Sequence, residues 1–472
     1  MKQLLQIGIL KICLACVCVA QTQVVPTQSP RAQIATDWAD MTVRIMTKAP
    51  KNTPTYGSRA TGYLGLTMYE TVVHASPNYR SVLRQLCDTL LLPTPDPKKV
   101  YCWELALNAG QAYMLRALYA YTQKTQPVDS LEQAVHQHYA ALLSPEVVER
   151  SEQYGKAIAE KIYEWSKVDG GHEGYLLNFP ESYIRPVGAG MWVPPFIGQS
   201  NSKIPMHPTW GENRTFARKN SELPLPKPLV YSTDTTSKYY IYYKEVFDRK
   251  KTLTDEDRAI VMWWGDDPTE TCSPPGHSYN LATIAIRNSP TDLIKAAQTY
   301  ARVGMAVADA FICCWNVKFR YSIERPSSFA QKNLQSKFSP KWLPFFLEPP
   351  FPAFYSGHAV QSAATATVLT ALYGKNFSFT DYTHANRPDK IIAVQADLPN
   401  NPTPSDYYTY MRQSSVQYTL KYKPRQYKSF WDAAQECANS RLLGGIHTRY
   451  DNEVGLVEGA KIGRNINAIR WQ

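Results

Sequence analysis

Residues 351–369 read FPAFYSGHAVQSAATATVL. An aromatic, proline-bearing approach delivers Ser356, Gly357 and His358 in one step, and a run of small residues then begins that can pack only as a close helix. A helix start leaves its first N–H groups unpaired and carries partial positive charge, so it receives an oxyanion well, and glycine lets that ligand come near the backbone. Ser356 stands where it either caps the helix or donates to the anion. A plain N-cap followed by a satisfied surface histidine fits the same letters, so the neighbouring clusters decide.

Upstream lies WNVKFRYSIERP, residues 315–326. Lys318 and Arg325 are seven positions apart, nearly two helical turns, so both project from one face if the helix persists until Pro326 ends it. Two cations on one face with no carboxylate aligned between them need an anion. With Glu324 and Arg320 included, the stretch reads equally as a solvated face. Downstream lies SRLLGGIHTRYD, residues 440–451, where His447 and Asp451 stand at i and i+4. A carboxylate so placed accepts the Nδ1 proton of the imidazole and leaves Nε2 free as nucleophile or metal ligand. Arg441 adds a cation, and Gly444-Gly445 points to close backbone packing, since such a pair is costly inside an ordinary helix. A helix carrying a surface ion pair is the plainer alternative.

Helical periodicity covers residues 36–75, 105–125, 130–165, 254–264, 290–320, 358–374 and 428–465, while alternating strand patterns are nearly absent. The chain therefore reads as mostly α, one or two helical bundles with long irregular loops at 176–250 and 375–427. Loops of such length often wall a binding site. With 472 residues the chain has core to spare. Its 51 Lys and Arg against 40 Asp and Glu give a formal charge of +11, but the cations are scattered. That pattern favours small anionic ligands and gives no nucleic-acid stripe.

The first residues, MKQLLQIGILKICLACVCVAQTQ, have a short basic start, an apolar stretch and small residues near Ala20, so residues 1–20 read as an export signal. Cleavage after Ala20 and lipid attachment at Cys16 both remain open. No later apolar run reaches the roughly 18 residues of a membrane span. The mature chain is thus expected in the periplasm, outside the cell or tethered to a membrane surface. Residues 36–250 form an N-terminal helical region with a loop excursion, and 251–470 a catalytic region. Cys87 and Cys102 flank a proline-rich loop and can pair in an oxidising compartment, whereas Cys313 and Cys314 read as core thiols. His277, in SPPGHSYN, reads as a turn-stabilising residue, with a place at a site entrance as the alternative.

Taken together, Lys318-x6-Arg325-Pro326, Ser356-Gly357-His358 and Ser440-Arg441-x5-His447-x3-Asp451 resemble the tripartite signature of the type 2 phosphatidic acid phosphatase and vanadium-dependent haloperoxidase superfamily. SRATGYLGLTMYETVVHA (58–75), HPTWGENRTFA (207–217), SPPGHSYNLA (273–282) and VADAFICCWNVKF (307–319) look like segments of its long, soluble, secreted haloperoxidase-like members. The resemblance implies a helical-bundle fold and a bound vanadate. Lys318, Arg325, Ser356, Gly357 and Arg441 would hold the vanadate oxygens, His447 would bind vanadium axially, Asp451 would orient His447, and His358 would act as acid and base. Trp315 and Phe351 match aromatics that wall the halide side of the pocket.

The reaction so implied is oxidation of halide by hydrogen peroxide. The same residues suit an acid phosphatase without cofactor, in which His447 attacks phosphorus to give a phosphohistidine and His358 protonates the leaving alkoxide. An oxyanion-binding protein without turnover is a third possibility. In each case the partners are small molecules, and the sequence leaves the oligomeric state open. Two departures carry expectations of their own. Tyr355 replaces the family's proline and should loosen the helix start, and Glu324 beside Arg325 should tie up the guanidinium and weaken vanadate binding.

Overall fold

A computed structural model describes residues 30–87, 89–196, 198–200, 202–268, 270–335, 341–385, 387–393 and 417–472. The export signal expected at 1–20, including Cys16 and Ala20, lies outside the described residues. Among them stand twelve helices of nine residues or more. These are α1 (Pro30–Lys48), α2 (Pro54–Val72), α3 (Trp103–Leu118), α4 (Gln126–Ala140), α5 (Pro145–Ser166), α6 (Lys238–Arg249), α7 (Asp255–Trp263), α8 (Ser273–Arg287), α9 (Leu293–Tyr321), α10 (Gly357–Tyr373), α11 (Phe430–Leu443) and α12 (Arg449–Asn467). The molecule is mostly helical, as its periodicity implies. Two short antiparallel ribbons pair β1 (Phe379–Asp381) with β4 (Arg425–Tyr427) and β2 (Lys390–Ala393) with β3 (Gln417–Leu420). Among the described residues no helix is long and apolar enough to cross a membrane.

The 29-residue α9 is the central rod, with 22 of its residues buried. It lies against α2, where Gly65 faces the Tyr300 carbonyl and Gly304 faces the Thr61 carbonyl so closely that a Cβ at either would collide with backbone. The α10 and α12 pair uses the same device. Gly455, Gly459 and Gly463 recur one turn apart on α12 and bring it onto Ser356, Val360 and Ala364 of the facing stretch. Small side chains on both partners let the helices approach, which places the helix start at Gly357 beside the start of α12. One buried apolar cluster runs from Ala32 to Trp471 and draws on both the 36–250 and 251–470 stretches.

Two helices lie where periodicity shows none. Helix α6 falls inside the 176–250 stretch expected to be irregular, and it buries Tyr239, Tyr243 and Val246 at helical spacing in a segment otherwise rich in tyrosine and charge. Helix α8 starts on Pro274-Pro275, and prolines in the first turn cost no hydrogen bond because those N–H groups are unpaired anyway. Cys87 and Cys102, whose pairing the sequence leaves open, are free thiols. Cys102 is buried at the N-cap of α3, with its thiol on Glu104 at 3.5 Å, while the Cys87 thiol lies 3.4 Å from Thr89 Oγ.

Candidate active site

Lys318 lies in the last turn of α9, fully buried. The helix does not persist to Arg325: it ends at Tyr321, and Ser322 takes the left-handed conformation (φ 47°) with its N–H on the Lys318 carbonyl. The expectation of two cations on one helical face is therefore corrected. Chain reversal, not helical spacing, brings them together. Lys318 Nζ donates to the carbonyls of Pro352 (2.9 Å) and Ala353 (2.7 Å), while Arg325 donates from Nε and Nη2 to the Phe351 carbonyl (3.1 and 2.9 Å). Both cations thus grip the approach to the Ser356-Gly357-His358 turn.

Glu324 does not tie up Arg325. Arg325 has extended backbone, so successive side chains point apart, and Glu324 accepts from Tyr239 Oη (3.1 Å) and pairs with Lys332 (3.6 Å). The Tyr355 expectation fails as well. Tyr355 is buried, its carbonyl accepts from Cys314 Sγ (3.4 Å), and the next turn is regular, with Val360 N donating to the Ser356 carbonyl at 3.1 Å. Ser356 is the N-cap, its Oγ accepting from Ala359 N (3.4 Å), and its own N–H donates to the Asp451 carbonyl (3.1 Å). That bond joins the second cluster to the third. A Cβ on Gly357 would meet only the Trp315 ring, at 3.8 Å, so the helix start is open on its cavity side.

His358 Nε2 is buried with no partner. Burial, reinforced by Arg441, holds the ring well below the ordinary histidine range, so it is neutral and presents a lone pair. Arg441, in the last turn of α11, spends Nε on Ser440 Oγ (2.9 Å) and Nη2 on the Val261 carbonyl (3.3 Å), which leaves Nη1 buried and unpartnered. Helix α11 then stops. Gly445 adopts φ 80°, the left-handed conformation glycine takes without strain, and the Gly444 carbonyl accepts from Phe346 N at 2.9 Å.

His447 is not on a helix. It precedes Thr448, the N-cap of α12, and Asp451 is the third residue of a capping box with Thr448. The i,i+4 contact survives for that different reason: His447 Nδ1 donates to Asp451 Oδ2 (3.3 Å), which also accepts from Thr448 N (3.0 Å). On the far edge of the ring, Arg325 Nη1 donates to His447 Nε2 (3.1 Å), fixing the tautomer with its lone pair on Nε2. Burial first, then Arg325, Lys318 and Arg441, push this histidine well below its ordinary value, and burial raises Asp451.

Of these groups Gly357, His358, Arg441 and His447 line one cavity of about 420 Å³, beside Trp315 and Phe351, whereas Lys318, Arg325 and Ser356 are not in its wall. The two aromatic rings lie 4.8 Å apart, with Lys318 Nζ 5.3 Å from the Phe351 ring. Part of the wall comes from the 176–250 stretch, through Phe179, Gln199 and Met206. A tetrahedral or five-coordinate oxyanion fits this donor set. Arg441 Nη1 and His358 Nε2 lack partners, Lys318 has spent two of an ammonium's three donors, and the Gly357 cradle is open.

Periodicity and spacing gave no notice of Asp266 and Asp267, which also line the cavity. Burial pushes Asp267 up to about 7, and Gln199 Nε2 donates to it. His277 stands neither in a turn nor at an entrance: it is buried on α8 and bonded to Asp266. No local pattern could reveal this, since the partners come from three separate segments.

A family model described as the VCPO second helical-bundle domain matches residues 298–470. Vanadium chloroperoxidase of Curvularia inaequalis is 27% identical over 231 residues, covering 41% of this chain and 36% of that protein. The match thus spans little more than a third of the relative's length. The crystal structure of a bacterial vanadium-dependent iodoperoxidase superposes with a TM-score of 0.72 at 28% identity, covering 92% of this chain and 95% of the other. A holo-type bacterial vanadium-dependent chloroperoxidase shares the fold, with a TM-score of 0.63 at 15% identity and 94% of each chain covered.

Proposed function

The chain belongs to the vanadium-dependent haloperoxidase and type 2 phosphatidic acid phosphatase superfamily, and from that premise we propose that it is an exported haloperoxidase that oxidises halide with hydrogen peroxide. The observation that carries the reading is the set of neutral imidazoles and underused cations around one aromatic-walled cavity. Arg441, Lys318, Arg325, Ser356 and the Gly357 N–H would hold the oxygens of vanadate, and His447 Nε2 would ligate the vanadium. When bound, vanadate supplies Lewis acidity that activates peroxide toward a halide without changing its own oxidation state.

The remaining chemistry belongs to the protein. Asp451 keeps the Nδ1 proton of His447 in place and so keeps Nε2 available. Arg325, which now donates to that nitrogen, turns its donor to an incoming oxyanion. His358, neutral because it is buried among cations, takes a proton from peroxide at Nε2 and returns it to the departing oxygen. Trp315 and Phe351 exclude water from one side of the cavity.

The test loads the purified mature chain with orthovanadate and assays bromide and iodide oxidation by peroxide beside p-nitrophenyl phosphate hydrolysis without vanadate. Halide oxidation with no ester cleavage supports the proposal. Ester cleavage without halide oxidation moves the assignment to the phosphatase reaction, and inactivity in both with vanadate bound moves it to a binding protein. Export is tested separately, by the N-terminal sequence and lipid content of the protein recovered outside the cytoplasm.

A further inference from the structure

His277 has no part in the chemistry above, yet it sits at the centre of the most densely bonded polar cluster beside the cavity. It is 1% exposed, and its ring stacks on Trp264 at 4.4 Å with the planes 11° apart. Nδ1 faces both oxygens of Asp266 (3.1 and 3.0 Å), and Nε2 faces Asp381 Oδ2 (2.8 Å). Both carboxylates are well supplied with donors. Asp381 accepts from Trp263 Nε1 (3.0 Å), Thr383 N (2.9 Å) and Thr383 Oγ (2.6 Å), and Asp266 accepts from His384 Nε2 (2.8 Å). Carboxylates so placed are ionised and only accept, so both ring nitrogens of His277 must carry protons. Ligand atoms of Asp266, His277 and His384 lie within 4.8 Å of one another, but each is already satisfied at hydrogen-bond spacing without an ion.

The elements tied together are the ones that shape the site. Asp266 and Asp381 belong to the turn after α7 and to β1, and His384 follows β1. Asp266 lines the cavity with a left-handed backbone (φ 49°), a conformation an aspartate holds only when its surroundings fix it. Gly265 and Asp267 of the same turn line the cavity beside His358.

We propose that His277 is a positioning residue of the anion site, a permanent imidazolium that clamps Asp266 and Asp381 and so fixes the 264–267 turn that forms the cavity wall beside His358. Burial alone would discharge His277, but the two carboxylates override it and push it up to about 10, while the histidines hold Asp266 below the usual carboxylate range. The role in turnover rests on the function proposed above; the protonation state of His277 does not.

The experiment uses nitrogen-edited NMR of the full mature chain, with histidine signals assigned by single substitutions. His277 should show two protonated ring nitrogens from about pH 6 to about pH 9. His277→Gln leaves two carboxylates uncompensated and should lower the melting temperature. His277→Gln with Asp381→Asn removes one of those charges and should recover much of that loss, while the ring signals of His358 shift as the neighbouring turn moves. In the double variant kcat for the reaction the wild type performs should stay about 10- to 100-fold down, the usual scale for removing a supporting shell. A singly protonated His277 at neutral pH, unchanged His358 ring signals in the double variant, wild-type turnover in it, or a stoichiometric metal ion that survives chelation would each overturn the proposal. If the wild type performs neither reaction, the function assignment fails by itself, and the two NMR signatures still judge His277.

Discussion

At the scale of single residues, the two imidazoles of the cavity differ by what stands behind them. His447 is braced by Asp451 and faces Arg325, whereas His358 Nε2 is buried and free. His447→Ala should therefore abolish tight vanadate binding or phosphoenzyme formation, because it removes the direct bond to the central atom. His358→Ala should leave the oxyanion bound and slow turnover by about 10²- to 10⁴-fold, the scale of general acid–base catalysis. Equilibrium dialysis with orthovanadate beside steady-state rates separates them, and a reversed pattern would exchange the roles. His277 carries a pH signature. Its folded value, about 10, lies above its ordinary one, so the stability it contributes is full below about pH 6.5 and disappears as pH rises through about 10. Thermal melts against pH should show that alkaline loss in the wild type, and a variant with His277→Gln should lack this component. The residue types of the site were legible in the sequence because their spacings are local. The orientations of Glu324 and Tyr355 were not, since each is set by neighbours distant in the chain, Tyr239 for one and Cys314 for the other.

At the scale of elements, the starts of α10 and α12 do the positioning. Thr448 caps α12 and, through the capping box, fixes the Asp451 carboxylate that holds His447. Thr448→Val should cost about 0.5–2 kcal/mol as a lost cap, and it should also lower kcat by freeing Asp451. Urea melts and rates on one preparation distinguish this from a cap that matters only for stability, in which case kcat would not move. The α10–α12 contact is set by glycine. A side chain on Gly459 would run into the Val360 carbonyl, so Gly459→Val should force the helices apart, destabilise the fold by about 1–3 kcal/mol as overpacking does, and weaken vanadate binding. Unchanged binding in a destabilised variant would show that the site does not depend on that contact. Where the sequence implied one continuous helix through Lys318 and Arg325, and a helical His447–Asp451 pair, the chain instead breaks at Ser322 and Gly445. Periodicity reports which faces are apolar but is blind to a single left-handed residue.

At the scale of the whole molecule, the glycine crossing of α2 and α9 joins the two halves of the chain in one core. We propose 36–250 and 251–470 as regions of organisation that unfold together. Calorimetry should show a single transition, and Gly304→Val should lower its midpoint without splitting it; two separate transitions would make the regions independent units. By itself the sequence determined the helical class, the three clusters and the oxyanion chemistry they imply, because helical periodicity, capping residues and short spacings are all local properties. Only the tertiary structure decided which donors stay unspent, that Arg325 reaches His447, and that His277 lies between two carboxylates. Asp266, His277 and Asp381 are up to 115 residues apart and meet only after α7, α8 and β1 have packed, so no pattern along the chain could announce them.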